Sequence, residues 1–344
     1  MKKVSVLIST LVVTSAVLSA CGENEVDTNL SNNEEAENDS IETIEIMTTL
    51  FPLEDFANRI GGEYVEVENI VPVGSDVHTF EPTANQMIGL AEADLFIYNG
   101  ADYEGFSDSI IDAVDSHDVK ILTASDGIDL IEYDHNKQDY GENNDHEDEN
   151  NDHEHENNNN DHDHDHDHEH GENDPHVWLD PIRAIELAEN IKDALVEVRP
   201  AAEEEFNLNF EELKTDLEEL DDNFQGMVDE MTQDTMIVSH AAYGYWKDRY
   251  DINQIAISGL SSTNEPTIQQ IQEVISFMES NDISYVMFEQ NIPTNIAETV
   301  REQVGAEELW LHNLSALINE NIENEDDYFS LMEKNIETLR KALQ

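Results

Sequence analysis

Residues 200–228 read PAAEEEFNLNFEELKTDLEELDDNFQGMV. Apolar side chains recur in this stretch at spacings of three and four residues, the period that places them on one face of an α-helix. They are Phe206, Phe210, Leu213, Leu217, Leu220 and Phe224. At 1.5 Å per residue the segment would be about 40 Å long. The pattern therefore predicts one long, rigid linking helix, which we assign to residues 200–229.

Short apolar or β-branched runs alternate with amphipathic stretches on both sides of this helix. Because such alternation is typical of parallel sheets covered by helices, we expect an α/β fold with two βα lobes. The N-terminal αβ lobe would occupy residues 43–199 and the C-terminal αβ lobe residues 230–344. The second half repeats the architecture of the first without an evident sequence repeat. The predicted strands include residues 43–48, 95–98, 236–238 and 285–288.

The N-terminal residues have the features of a targeting segment. Two lysines precede an apolar run over residues 4–18 that is short for a membrane span. Leu18-Ser19-Ala20-Cys21 then resembles the lipobox of bacterial lipoproteins, which predicts a signal peptide over residues 1–20 and lipidation of Cys21. That anchor would hold the protein on the extracytoplasmic face of the cell membrane. The alternative is an ordinary secretory signal followed by a chance cysteine.

The composition limits the possible partners and metal ligands. The chain of 344 residues has a formal net charge of −65, from 80 acidic and 15 basic side chains. Nucleic acid is therefore not an expected partner, since phosphate binding needs clustered Lys and Arg. Cys21 is the only cysteine, so an intramolecular disulfide and a cysteine-type zinc site are both excluded. Residues 21–42, rich in Asn, Asp and Glu, predict a disordered acidic tether.

Residues 134–174 form a His-rich stretch with almost no apolar side chains, which predicts a disordered loop. Imidazole is a ligand for zinc and related metals, so the stretch suggests an auxiliary metal-binding loop. The neighbouring carboxylates favour imidazolium, so protons should compete with metal below neutral pH. A solvated acidic spacer is the alternative interpretation. The expected auxiliary ligands are His153, His155, His162, His164, His166, His168 and His170.

Four motifs, taken together and in this order, resemble the metal-binding receptor lipoproteins of bacterial zinc and manganese ABC importers. The resemblance covers nearly the whole mature chain. The motifs are Gly74-Ser75-Asp76-Val77-His78-Thr79-Phe80-Glu81-Pro82-Thr83, Pro175-His176-Val177-Trp178-Leu179-Asp180-Pro181, Ser239-His240-Ala241-Ala242-Tyr243-Gly244-Tyr245-Trp246 and Gly259-Leu260-Ser261-Ser262-Thr263-Asn264-Glu265-Pro266.

The resemblance implies two αβ lobes joined by the long helix, with metal in the cleft between them. It carries His78 and His176 over as ligands from the first lobe and His240 from the second. Three imidazoles favour zinc over manganese or magnesium. Asp180 and Glu81 are candidates for orienting the imidazoles, or else a helix cap and a loop ion-pair partner. We expect Trp178, Tyr243 and Trp246 to pack in the core.

The fourth zinc donor stays open at this point. Many relatives carry a carboxylate in the loop after the last strand, where this chain has Ser315. Water is the first choice, and Glu289 or His312 are weaker candidates. The function that follows is an extracytoplasmic zinc receptor that delivers Zn²⁺ to a membrane permease.

Two other classes of function compete with this receptor. A zinc-dependent hydrolase could use three histidines and a water, although the chain has no His-Glu-x-x-His motif. A surface adhesin or zinc buffer is the third possibility. The chain also lacks a P-loop, which excludes the ATPase subunit of an importer.

Overall fold

The computed structural model describes residues 43–133, 172–293 and 295–344. The predicted signal peptide, Cys21 and the acidic tether lie outside the described residues. The seven auxiliary histidines between His153 and His170 also lie outside them. Within the described ranges, no helix is both long enough and apolar enough to cross a bilayer.

The first lobe is built on a four-stranded parallel sheet with the order β2-β1-β3-β4. Helices connect the strands, as parallel pairing requires. Gly62, at φ 54°, ends the first helix in a conformation that glycine adopts readily. The elements are β1 (Ile44–Thr48), α1 (Phe51–Gly61), β2 (Val65–Asn69), α2 (Ala84–Glu92), β3 (Leu95–Tyr98), α3 (Ser107–Val114) and β4 (Lys120–Thr123).

A short antiparallel ribbon follows, formed by β5 (Glu132–Tyr133) and β6 (Glu172–Asn173). The prediction of disorder through residue 174 is therefore wrong at its C-terminal end. The Asp174 N–H donates to the Ile131 carbonyl at 2.9 Å, which extends the ribbon by one bond. This pairing joins residues about forty positions apart, and local composition carries no signal for it.

Two helices carry the chain to the second lobe. They are α4 (Pro181–Val198) and α5 (Glu203–Val228), separated by one 3₁₀ turn at Pro200–Ala202. The six apolar residues that predicted the linking helix are all buried on α5. α5 packs against α1 and α4 of the first lobe.

The second lobe repeats the architecture with a parallel sheet of order β10-β9-β7-β8. Its last helix also packs against α5. The predicted class, two βα lobes joined by a long helix, is confirmed. The elements are β7 (Thr235–Val238), α6 (Gly244–Tyr250), β8 (Asn253–Ala256), α7 (Ile268–Ser280), β9 (Tyr285–Phe288), α8 (Asn295–Val304), β10 (Glu307–Trp310), α9 (Asn319–Glu323) and α10 (Tyr328–Ala342).

The two lobes share a short sequence repeat that was not predicted. Glu81-Pro82-Thr83 precedes α2 and Glu265-Pro266-Thr267 precedes α7, each with a glutamine three residues after the threonine. In both copies the threonine hydroxyl accepts the glutamine N–H, and the glutamine side chain accepts the threonine N–H. This reciprocal capping box fixes where each helix begins. Three matching residues and a glutamine are too few to detect without the capping geometry.

Most of the apolar core is continuous between the lobes. One cluster includes Ile46 and Phe96 of the first sheet, Phe206 of α5, and Trp246 and Leu339 of the second lobe. A second cluster is confined to the C-terminal lobe, between its sheet and helices α7 and α8. The lobes therefore meet across a packed, water-excluding interface.

Candidate metal centre

Three loops from distant parts of the chain bring His78, His176 and His240 together. His78 lies in a 3₁₀ turn (Val77–Thr79) whose first free N–H groups are capped by Asp76, which accepts the His78 N–H at 3.0 Å. His176 stands at the start of a second 3₁₀ turn (Val177–Leu179), just ahead of α4. His240 follows β7 by two residues. One nitrogen from each ring lies within 4.8 Å of the others.

The Nε2 atoms of all three rings are buried and have no hydrogen-bond partner among the described residues. A buried nitrogen without a partner costs about 1–3 kcal/mol, so three of them at one place need an explanation. Nitrogens that share a zinc at 2.0–2.1 Å in tetrahedral geometry are about 3.4 Å apart. Small side-chain rotations would bring these rings to that spacing. The donor set thus fits Zn²⁺.

Two buried carboxylates hold two of the rings from behind. His176 Nδ1 donates to Asp174 Oδ1 at 2.8 Å, and the His176 N–H donates to the same oxygen at 3.0 Å. His240 Nδ1 donates to Glu289 Oε1 at 2.6 Å. Because Nδ1 carries the proton in each pair, Nε2 keeps its lone pair for a metal.

The carboxylates that hold the two rings are Asp174 and Glu289 rather than the candidates Asp180 and Glu81, and Asp180 takes its alternative role as a helix cap. Asp180 caps α4 by accepting the Ile182 N–H at 2.8 Å, and its other oxygen pairs with Arg183 at 2.7 Å. Glu81 is exposed. Asp174 was not predicted as a site residue, because it lies at the end of the His-rich stretch. Its position two residues before His176 was the available signal.

The surroundings of the rings shift the pKa values of His78 and His240 in opposite directions. Burial, together with the smaller effects of positive charge on His176 and His240, lowers the pKa of His78 to about 2. Burial also acts to lower the pKa of His240, but the charge and hydrogen bond of Glu289 outweigh it and raise that pKa. His78 therefore stays neutral in acid, whereas the carboxylate of Glu289 stabilises the protonated form of His240.

The candidates for a fourth donor have other partners. His312 accepts the Leu314 N–H at Nδ1 (2.9 Å), and its Nε2 bonds to Asn321 (3.0 Å). Glu289 Oε2 accepts from the Asn313 amide at 2.6 Å, so both of its oxygens are bonded. Ser315 donates to Asn313 Oδ1 at 2.9 Å. Within the described ranges, no fourth His, Cys, Asp or Glu joins the cluster.

Buried aromatic side chains surround the cluster and join the lobes. The Tyr103 ring lies 4.6 Å from the His78 ring, centre to centre. Trp178 Nε1 donates to the Asn313 carbonyl at 2.8 Å, and Trp246 Nε1 donates to the Leu179 carbonyl at 2.9 Å, both bonds crossing from one lobe to the other. Trp178, Tyr243 and Trp246 are fully buried, which confirms that they pack in the core.

A cavity of about 620 Å³ lies beside the loop that carries His78, where the two lobes meet. Asp76 of the His78 loop and Ser262 of the second lobe both line it. The Ser262 hydroxyl donates to Asp76 Oδ2 at 2.5 Å, and the Asn291 amide donates to the Ser75 carbonyl at 3.3 Å. The loop that carries His78 is therefore tied directly to the lobe that carries His240.

The chain is similar to proteins of known function along nearly its whole length. The family model described as ZnuA, zinc-uptake complex component A, periplasmic, matches residues 46–342. The zinc-binding lipoprotein AdcA of Streptococcus pneumoniae is 30% identical over 99% of this chain, which spans only 61% of AdcA. The high-affinity zinc uptake system protein ZnuA of Bacillus subtilis is 28% identical over 87% of this chain and 88% of its own length.

A solved structure shares the fold. The Zn(II)-bound ZnuA-like domain of Streptococcus pneumoniae AdcA superposes with a TM-score of 0.68 and 28% identity, covering 88% of this chain and 99% of that domain. The region shared with AdcA therefore corresponds to one domain of that longer protein.

Proposed function

Since this chain belongs to the family of periplasmic zinc-uptake component A proteins, we propose that it is an extracytoplasmic receptor that binds Zn²⁺ for an ABC importer. Its cargo is a single zinc ion held between the lobes. The observation that carries the proposal is the convergence of three buried Nε2 atoms without hydrogen-bond partners. A zinc ion satisfies all three at once.

The ligands in this proposal are His78, His176 and His240, with water as the fourth donor. Water is preferred because Glu289 and His312 already use their polar atoms in other bonds. His78 and His176 come from the first lobe and His240 from the second. Separation of the lobes would therefore remove ligands from the ion, which suits a protein that must release its cargo.

Delivery requires a membrane partner and a place near it. We propose that a permease subunit of the importer receives the zinc and that lipidated Cys21 tethers the receptor to the membrane. The acidic segment after Cys21 would give the tether its reach. Histidines 153–170 would act as weak auxiliary sites that raise the local zinc concentration.

Binding, rather than catalysis, is the activity that the site supports. A zinc hydrolase needs a general base positioned to take a proton from the metal-bound water. The two carboxylates bonded to the rings, Asp174 and Glu289, each accept instead from a ligand imidazole, at 2.8 Å and 2.6 Å respectively. Their role there is to hold the imidazoles.

Calorimetric titration with zinc tests the proposal. Wild type should show one tight site and several weak ones, and deletion of residues 135–170 should remove only the weak ones. His240→Ala should weaken the tight site at least about 100-fold, because zinc loses one of its three protein donors. His117→Ala, at an exposed histidine, is the matched control and should bind as wild type does. Tight binding that survives in His240→Ala would refute the proposed site.

A further inference from the structure

The zinc site proposed above has an unbalanced charge. Three neutral imidazoles and water leave the full 2+ charge of the ion in a buried place. Transfer of such a charge from water costs many kcal/mol unless opposite charge is close. No carboxylate of the described residues joins the histidine cluster.

The two carboxylates behind the rings pair with histidines and, within the described ranges, with no lysine or arginine. Asp174 and Glu289 are each 1% exposed. Among the described residues, no Lys or Arg pairs with either, and their only ion-pair partners are His176 and His240. Asp180 is equally buried but pairs with Arg183 at 2.7 Å. Oδ2 of Asp174 has no hydrogen-bond partner among the described residues.

We infer that Asp174 and Glu289 are positioning residues that supply the two counter-charges of the zinc site, each through the imidazole that it holds. This inference rests on the proposed function. Two negative charges balance one divalent ion, and one carboxylate comes from each lobe.

The arrangement has a consequence for metal selectivity. With both carboxylates ionised, a divalent ion gives a neutral site, whereas a monovalent ion leaves one negative charge. When one carboxylate is neutralised, a monovalent ion gives a neutral site and a divalent ion leaves one positive charge. The affinity for Zn²⁺ should therefore fall more than the affinity for Ag⁺. A residue that only supports the loop would change the affinity for both ions alike.

The experiment uses the mature chain with Asp174→Asn and with Glu289→Gln, which keep the shape of the side chain and remove its charge. Zinc and silver affinities are measured by competition with a chelator, and the visible spectrum of the Co²⁺-loaded protein reports ligand geometry. Each variant should bind zinc about 10–100-fold more weakly, the range typical of groups that hold metal-binding histidines. The loss for Ag⁺ should be clearly smaller, and the Co²⁺ spectrum should shift.

Asp180→Asn is the matched control, because it neutralises a buried carboxylate four residues from His176 that faces an arginine. This variant should have nearly the same ratio of zinc affinity to silver affinity as wild type. The inference is wrong if Asp174→Asn and Glu289→Gln bind zinc like wild type, if they lose zinc and silver affinity equally, or if they behave like Asp180→Asn. Failure of wild type to bind zinc, or tight binding in His240→Ala, would instead refute the proposed function.

Discussion

Gly244, the first residue of α6, lies against the carboxylate that holds His176. A Cβ atom at this position would stand 2.3 Å from Asp174 Oδ2 and 3.1 Å from the Ile131 side chain. Asp174 cannot rotate away freely, because its Oδ1 accepts twice from His176 and its carbonyl accepts the Tyr245 hydroxyl at 2.8 Å. Gly244→Ala therefore tests whether one added methyl group can disturb the zinc site.

The size of the effect follows from the distances. Ordinary contact with a Cβ begins at 3.4 Å, so Asp174 must move by about 1.1 Å. A shift of that size stretches the 2.8 Å bond between His176 Nδ1 and Asp174 Oδ1 beyond hydrogen-bonding distance. We expect zinc affinity to fall about 10–100-fold. Overpacking should also lower the free energy of unfolding by about 1–3 kcal/mol.

The assay is zinc competition with a chelator, together with urea unfolding of the metal-free protein. Gly226→Ala is the matched control, because a Cβ at this α5 position meets no atom within 4 Å. It should leave zinc affinity unchanged and raise the free energy of unfolding by up to about 1 kcal/mol, since alanine is the better helix former.

A double variant separates the clash from other causes. Removal of the carboxylate in Gly244→Ala/Asp174→Ala should add little to the zinc defect of Asp174→Ala alone, because both changes act on the same bond. Wild-type affinity and stability in Gly244→Ala, or additive losses in the double variant, would refute the reasoning.

Three further changes probe the cleft, the ionisation of the first lobe and the linking helix. Ser262→Ala removes the 2.5 Å hydrogen bond to Asp76 that joins the lobes, a loss of about 1 kcal/mol. The rate of zinc release, measured by stopped-flow chelator exchange, should therefore rise several-fold, and an unchanged rate would contradict this. Burial raises the pKa of Asp55 to about 6, above its ordinary 3.8, so ionisation destabilises the fold as pH rises through this window. Wild type should therefore lose up to about 3 kcal/mol of unfolding free energy relative to Asp55→Asn between pH 4 and pH 6.5 in urea titrations, and a constant difference would disprove it. Phe224→Ala removes a ring stacked on that of Tyr250, with the ring centres 4.9 Å apart. It should lower the free energy of unfolding in urea by about 3–5 kcal/mol, and a decrease below about 1 kcal/mol would contradict this.

Local patterns predicted most of the elements. Residues 95–98 and 285–288 form predicted strands with the same bounds, because each is a short apolar run. Strand β8 and the β5–β6 ribbon were missed. β8 is half-buried and only four residues long, and the ribbon depends on pairing across the His-rich stretch.

The site was also predictable only where local sequence patterns mark its residues. The three histidines stand in distinctive motifs, and the structure brings their rings together. The carboxylates behind them belong to no such motif. Glu289 was considered as a zinc ligand, yet its position at the end of β9 directs it to Nδ1 of His240. Which atom of a side chain faces another is a property of packing, and spacing along the chain does not encode it.

The shared core limits how this architecture can change through evolution. Phe206, Phe224 and Met227 of α5 belong to the same apolar cluster as residues of both sheets. A fragment that ended near residue 199 would lose the surface that covers α1 and α4, and the remaining fragment would expose the other side of the same helix. Neither half is therefore a self-sufficient module, and recombination that swapped one lobe between relatives would have to preserve the whole seam along α5.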